Sequence, residues 1–222
     1  MSQFPSERTT PIAVEGRLAV GLLGKVFGLL AFALAFAAVG GFAGYRLDPA
    51  WILPLFIVEL GLIFAVQGLR EREGINIVLL YAFAFVSGLT LGPIIARYTN
   101  AGFGGVVIQA AAVTGVMTAG LSGFALVVKR DLSGLRPILF VALLGLLAAM
   151  IANIFVGGSV MYGAISWFGA MLFSALLVFD VNRAKHAQDT MGNAVVITLG
   201  IYLDIVNLFM FVLRILTGGS RS

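Results

Sequence analysis

Seven stretches of mostly apolar residues follow one another along this chain, separated only by short polar breaks. A membrane-crossing helix needs about 20 such residues, and each stretch is long enough. They are Leu18–Ala43, Trp51–Leu69, Ile75–Ala96, Phe103–Val128, Leu135–Val156, Val160–Val181 and Asn193–Leu216. In hydrocarbon every backbone polar group must be satisfied within the segment, so these runs have to be helices. The expected fold is an all-α integral membrane protein of seven transmembrane helices.

Composition agrees. Only 11% of the 222 residues are charged and 60% are hydrophobic, whereas soluble domains carry about 25% charged residues. The 28 glycines suit close helix packing in lipid. Three pairs have the small-xxx-small spacing: Gly24 with Gly28, Gly40 with Gly44, and Gly88 with Gly92. There is no cysteine, which removes disulfides, thiolate metal sites and cysteine nucleophiles. The net charge of +4 is not a nucleic-acid signal, because no basic run interleaved with aromatics accompanies it.

Residues 1–17 read as a polar N-terminal tail, 18–216 as a single transmembrane domain and 217–222 as a short C-terminal tail. With the N-terminus in the cytoplasm, ten of the 14 lysines and arginines fall on the inner side. Arg46, Arg97, Arg214 and Arg221 fall outside. The positive-inside rule favours that orientation.

Against this background the acids stand out. Asp180 (FSALLVFD) and Asp204 (GIYLDIVNLF) lie inside expected helices. A carboxylate at the bilayer centre costs about 2.5–3.5 kcal/mol on insertion scales, so it implies a partner or a water path. Asp204 lies about 16 Å along the last helix from Asn193. Asp180 is nearer the inner end of the sixth helix, so the two meet if that helix continues past Arg183 or if the seventh starts below the surface. Two carboxylates close together in a low dielectric titrate as a unit and can share a proton. The functional reading is a proton-operated latch or cation site. The structural alternative is two residues satisfied by separate neighbours.

Glu59 (LFIVELGLIF) is a third intramembrane acid, at a depth where Arg214 could pair with it. Arg70 ends the second helix near the level of Asp180, either as a partner or only as a loop cation. Asn207 shares a helix face with Asp204 and either supports the site or joins helices. Tyr202 reads as an interfacial or packing position, Asn153 and Gln109 as packing positions, and His186 as a solvated loop residue in preference to a pH sensor. Retinal chemistry needs a lysine inside the bundle, and Lys25, Lys129 and Lys185 are not in the seventh helix. The segments around the aspartates read FD and YLD without GxGD, which argues against an intramembrane aspartic protease. HExxH, GxSxG and P-loop patterns are absent, so no enzyme is expected.

Three stretches carry a family resemblance: FAFVSGLTLGPII (83–95), GLSGFALVVKRDLSGL (120–135), and MLFSALLVFDVNRA with GIYLDIVNLFMFVLRIL (171–184 and 200–216). They resemble the bacterial branch of the transmembrane Bax inhibitor motif family, from about residue 15 to the end. The resemblance implies six helices wrapped around a central seventh, and a hydrogen-bonded pH-sensing dyad of Asp180 and Asp204. It implies that Arg70 pairs with the dyad when it ionises, and that Glu59 and Arg214 form a second pair. It implies a pH-sensitive calcium leak in a bacterial inner membrane. Asp180, Asp204 and Glu59 would then give calcium, as the transported ion, a weak and transient site, since calcium prefers several oxygen ligands. No tightly bound cofactor is expected, and a monomer is favoured. Some relatives instead modulate a membrane-bound ATP-dependent protease. The alternative is therefore a non-transporting regulator that presents the tail 1–17 to another membrane protein.

Overall fold

The computed structural model describes residues 11–219, with side chains from 21 to 218. Every long element among them is helical: α1 (Pro11–Gly44), α2 (Ile52–Gly68), α3 (Ile75–Tyr98), α4 (Gly104–Val127), α5 (Arg136–Val156), α6 (Ser159–His186) and α7 (Met191–Gly219). Six helical runs are long and apolar enough to cross a membrane, with α3 and α4 counted as one run from Ile75 to Val127. A π-helical stretch, Thr99–Phe103, joins those two. Gly102 within it has φ 88°, a conformation that an L side chain resists, and the chain changes direction there.

Two boundaries differ from the sequence expectation. α1 begins at Pro11, inside the segment read as tail; residues 1–10 lie outside the described residues. α6 runs on to His186, so Arg183, Lys185 and His186 form its last turn instead of a loop. A helix C-terminus favours such cations, because its last carbonyls are unpaired and the dipole is negative there.

α1 and α3 pack most intimately, and glycine is the reason. A Cβ on Gly88 would overlap the Ala37 carbonyl, and one on Gly92 would overlap the Gly44 backbone. Gly40 likewise meets the Phe85 carbonyl. The Gly40/Gly44 and Gly88/Gly92 motifs therefore face each other across one interface. Gly24 and Gly28 face open space and make no such contact.

α7 packs against α1, α2, α3, α4 and α6, while α5 packs on α6. Two apolar clusters flank α7. One joins α1, α3, α6 and α7 through Val26, Leu80, Phe83, Leu177 and Tyr202. The other joins α4, α5, α6 and α7 through Leu146, Phe173, Leu208 and Phe211. α6 and α7 are the most buried long helices, and α2 and α5 the least. Leu53 and Phe64 of α2 and Ile138 and Phe155 of α5 are exposed. Apolar side chains facing outward in this number are what lipid-facing surfaces carry.

Candidate functional site: an acid pair between two buried helices

Because α6 continues through Arg183, Asp180 reaches the N-terminal half of α7. Its Oδ2 lies against Gly200, so closely that a Cβ at that position would overlap it. Gly200 and Asp204 are one helical turn apart on the same face of α7. The two carboxylates are near enough for the charge of Asp180 to act on Asp204. Asp204 is 5% exposed, and its Oδ2 is buried with no hydrogen-bond partner among the described residues. A buried acid left in that way is costly unless something neutralises it.

Asp180 has a cation. Arg183 Nη1 stands 3.8 Å from Asp180 Oδ1, one turn further along α6. Arg136, at the start of α5, adds a second positive charge within range. The expected partner, Arg70, is not there. Its side chain is exposed, and the ion pairs among the described residues do not include it. Its backbone does matter: the Arg70 carbonyl accepts from Asn76 Nδ2 at 3.1 Å and lies against Gly192, at the start of α7. Arg183 holds the place because it travels on the same helix as Asp180, whereas Arg70 sits beyond the end of α2.

The expected pair of Glu59 and Arg214 is also replaced by other contacts. Glu59 accepts a short hydrogen bond from the Thr90 hydroxyl of α3. Arg214 lies over the rings of Phe211 and Tyr162, 5.4 and 5.9 Å from their centroids. Both are cation–π distances. Glu59 does not join Asp180 and Asp204 in one site. Among the described residues, no group of three or more acidic, histidine or cysteine side chains could hold a metal ion.

The remaining polar positions resolve simply. Asn207 Nδ2 donates to the Leu203 carbonyl of its own helix at 2.8 Å. Tyr202 is fully buried, donates to the Ala84 carbonyl at 3.4 Å and meets Phe83 edge-on. It is packing, not interfacial. His186 Nδ1 lies 3.0 Å from the Asn182 carbonyl. Gln109 is exposed, and Asn153 Oδ1 is buried without a partner among the described residues.

Sequence reasoning missed a polar clamp at the same end of the bundle. Asn182 is fully buried. Its Oδ1 accepts from the Leu132 amide at 3.0 Å, and its Nδ2 donates to the Arg130 carbonyl at 3.1 Å. Lys185 Nζ donates to the carbonyls of Leu126 (2.8 Å) and Val128 (2.6 Å), the unpaired acceptors that end α4. Lys25 of α1 pairs with Asp189 of the α6–α7 turn at 2.9 Å. The available signal was position: Asn182 and Lys185 are three apart, one face of a helix, once α6 is extended past Val181.

A polytopic helical bundle with an acid pair between its two most buried helices defines a class, an integral membrane protein with a polar intramembrane site. The family model described as "Inhibitor of apoptosis-promoting Bax1" matches residues 20–222, and the chain belongs to that Bax inhibitor-1-like family. It is similar to an uncharacterised protein of Campylobacter jejuni, 33% identical over 96% of this chain and 92% of the relative. An uncharacterised membrane protein of Vibrio cholerae is 32% identical over 88% of each chain. The inner membrane protein YbhL of Escherichia coli is 28% identical over 91% of this chain and 88% of its own length.

Proposed function

We propose that this protein is a pH-sensitive calcium leak of a bacterial inner membrane, gated by Asp180 and Asp204. The observation that carries the reading is the seating of the Asp180 carboxylate on Gly200, one turn from the buried Asp204. Protonated, the two acids can share a proton and hold α6 against α7. Ionised, they repel in a medium that screens charge poorly. Asp180 then tightens on Arg183, already beside it, and α6 is freed to move relative to α7. Calcium meets two carboxylates at most in this arrangement. That suits a passing, partly hydrated ion better than a tightly held one.

The end that would open is the one closed by the Asn182–Lys185 clamp and the Lys25–Asp189 pair. With the N-terminus in the cytoplasm this is the inner face, where the positive charge concentrates. Seven crossings follow if the run from Ile75 to Val127 counts twice. As one straight helix its 53 residues would measure about 80 Å, far beyond a hydrocarbon core of about 30 Å, and Gly102 supplies the turn. α7 is then the central helix.

The experiment is calcium entry into proteoliposomes between about pH 5 and 8, with Asp180→Asn and Asp204→Asn alongside the parent. A flux whose pH dependence changes in the variants supports the gate. Unchanged flux and pH dependence in both variants sinks the gate, whereas no flux above empty vesicles sinks the leak and favours a non-transporting regulator.

A further inference from the structure

At the opposite end of the bundle two cavities meet at Tyr45. The first, about 530 Å³, is a groove between α1, α3 and α4 with α7 beneath it. Its lining is apolar apart from the hydroxyls of Tyr45 and Thr114; Leu34, Ile95, Val206 and Phe209 are typical. It runs from Leu34 of α1 to Tyr45, just past the end of that helix, about 16 Å. Half of a hydrocarbon core of about 30 Å is nearly the same length. The second cavity, about 570 Å³, is lined by Tyr45, Arg46, Arg97 and Asn100 among others.

The charges are uneven. Arg46 and Arg97 come from different segments, the end of α1 and the end of α3, yet line one cavity. Both are exposed, and neither is in an ion pair among the described residues. The nearest acid in sequence, Asp48, is already used: its Oδ1 accepts from the Ala50 amide at 2.8 Å, capping a short 3-10 turn. Two arginines converging on the end of the bundle that carries fewest cations are left without a counter-charge.

We propose that these two cavities form a single site for an anionic phospholipid. The phosphate sits between Arg46 and Arg97, with Asn100 in reach of the glycerol or headgroup oxygens. One acyl chain lies in the groove below Tyr45. Arginine suits this task because its planar fork binds phosphate oxygens in pairs. A tyrosine at the level where chain meets headgroup is the usual place for an amphipathic ring. The lipid belongs to the leaflet at the C-terminal end of α1, whichever way the protein faces.

The test is native mass spectrometry of the delipidated protein with phosphatidylglycerol or phosphatidylethanolamine added at equal concentration. The readout is independent of ion flux, so it stands or falls apart from the leak. Phosphatidylglycerol should be retained in preference. Arg46→Gln/Arg97→Gln should reduce that retention about thirtyfold, two basic contacts of the strength usual at an anionic membrane surface. Ala111→Trp, at an exposed groove position, should also reduce it by blocking the chain. Equal retention of the two lipids, or no effect of the double arginine variant, overturns the site. Displacement of the lipid by an equal concentration of glycerol 3-phosphate overturns the acyl groove.

Discussion

Gly200 of α7 lies directly beneath the carboxylate of Asp180 on α6, with no room between them for a methyl group. Gly200→Ala must therefore push that carboxylate aside. The side chain can yield by rotation, and alanine is the better helix former by about 1 kcal/mol. The thermal midpoint should consequently change little. The pH at which calcium flux is half-maximal should move, because the spacing of the two acids has changed. A variant with the parent's pH profile would mean that Asp180 and Asp204 do not act as a pair.

Asn182 ties α6 to the turn between α4 and α5 through three backbone groups: Leu132, Arg130 and, at 3.5 Å, Val128. Asn182→Ala removes a part-buried hydrogen bond from the Leu132 amide and one to the Arg130 carbonyl, while Val128 keeps Lys185, at about 1–3 kcal/mol for each group that water does not reach. The expected result is a clear drop in the unfolding temperature in detergent. Lys185→Met removes the cap on α4 but keeps the apolar stem, and should cost less. If both variants unfold with the parent, the clamp is not a stabilising feature.

The helices were legible because crossing a bilayer demands about 20 apolar residues, a constraint that packing cannot override. The breaks were less legible. Asn182, Lys185 and His186 read as a loop because they are polar, yet polar groups are what the end of a helix and its docked neighbour need. Asp180 and Asp204 stood out through the cost of burial alone. Their cations could not be chosen from sequence, because a long arginine side chain can reach many places. Arg70 and Arg214 matched in depth, but depth does not fix the direction in which a helix face points. Glu59 found Thr90 and Arg214 found two aromatic rings.

Asp131, in the turn that Asn182 holds, is exposed and lies outside the spanning segments. Hydrogen bonds from the Ser133 hydroxyl (2.6 Å) and amide (2.9 Å) hold its carboxyl below the usual value of 3.8, and His186 adds a weaker pull when charged. A lowered folded value means that this contribution is present above 3.8 and is lost as pH falls through the folded value. Protection of the Ser133 amide, measured against its intrinsic exchange rate at each pH, should therefore fall in acid. Ser133→Ala should move that change to higher pH, and identical profiles would show that the turn does not depend on Asp131.

The Lys25–Asp189 pair spans from α1 to the turn before α7, with side chains 39% and 17% exposed. A partly exposed pair contributes at most about 1 kcal/mol. Its interest is positional, because it crosses the end that opening would separate. Lys25→Glu should raise calcium flux at low pH with little change in unfolding temperature. Adding Asp189→Lys should restore the parent's flux by remaking the pair with reversed signs. Failure of the double variant to recover would show that Lys25 acts through something other than Asp189.

Arg183 and Arg70 make opposite predictions for the same carboxylate. Arg183 Nη1 is 3.8 Å from Asp180 Oδ1, while the Arg70 side chain is exposed and its carbonyl serves Asn76. Arg183→Gln removes a charge that favours ionised Asp180, so more alkaline conditions should be needed to open the pathway. Arg70→Gln keeps the backbone carbonyl, leaves Asp180 its cation and should give a pH profile close to the parent's. Asp180→Asn should erase the difference between the two arginine variants, since an amide has no charge for either to hold. A shift with Arg70→Gln and none with Arg183→Gln would place the partner of the ionised state in the turn after α2, and would mean that Asp180 changes cations when the pathway opens.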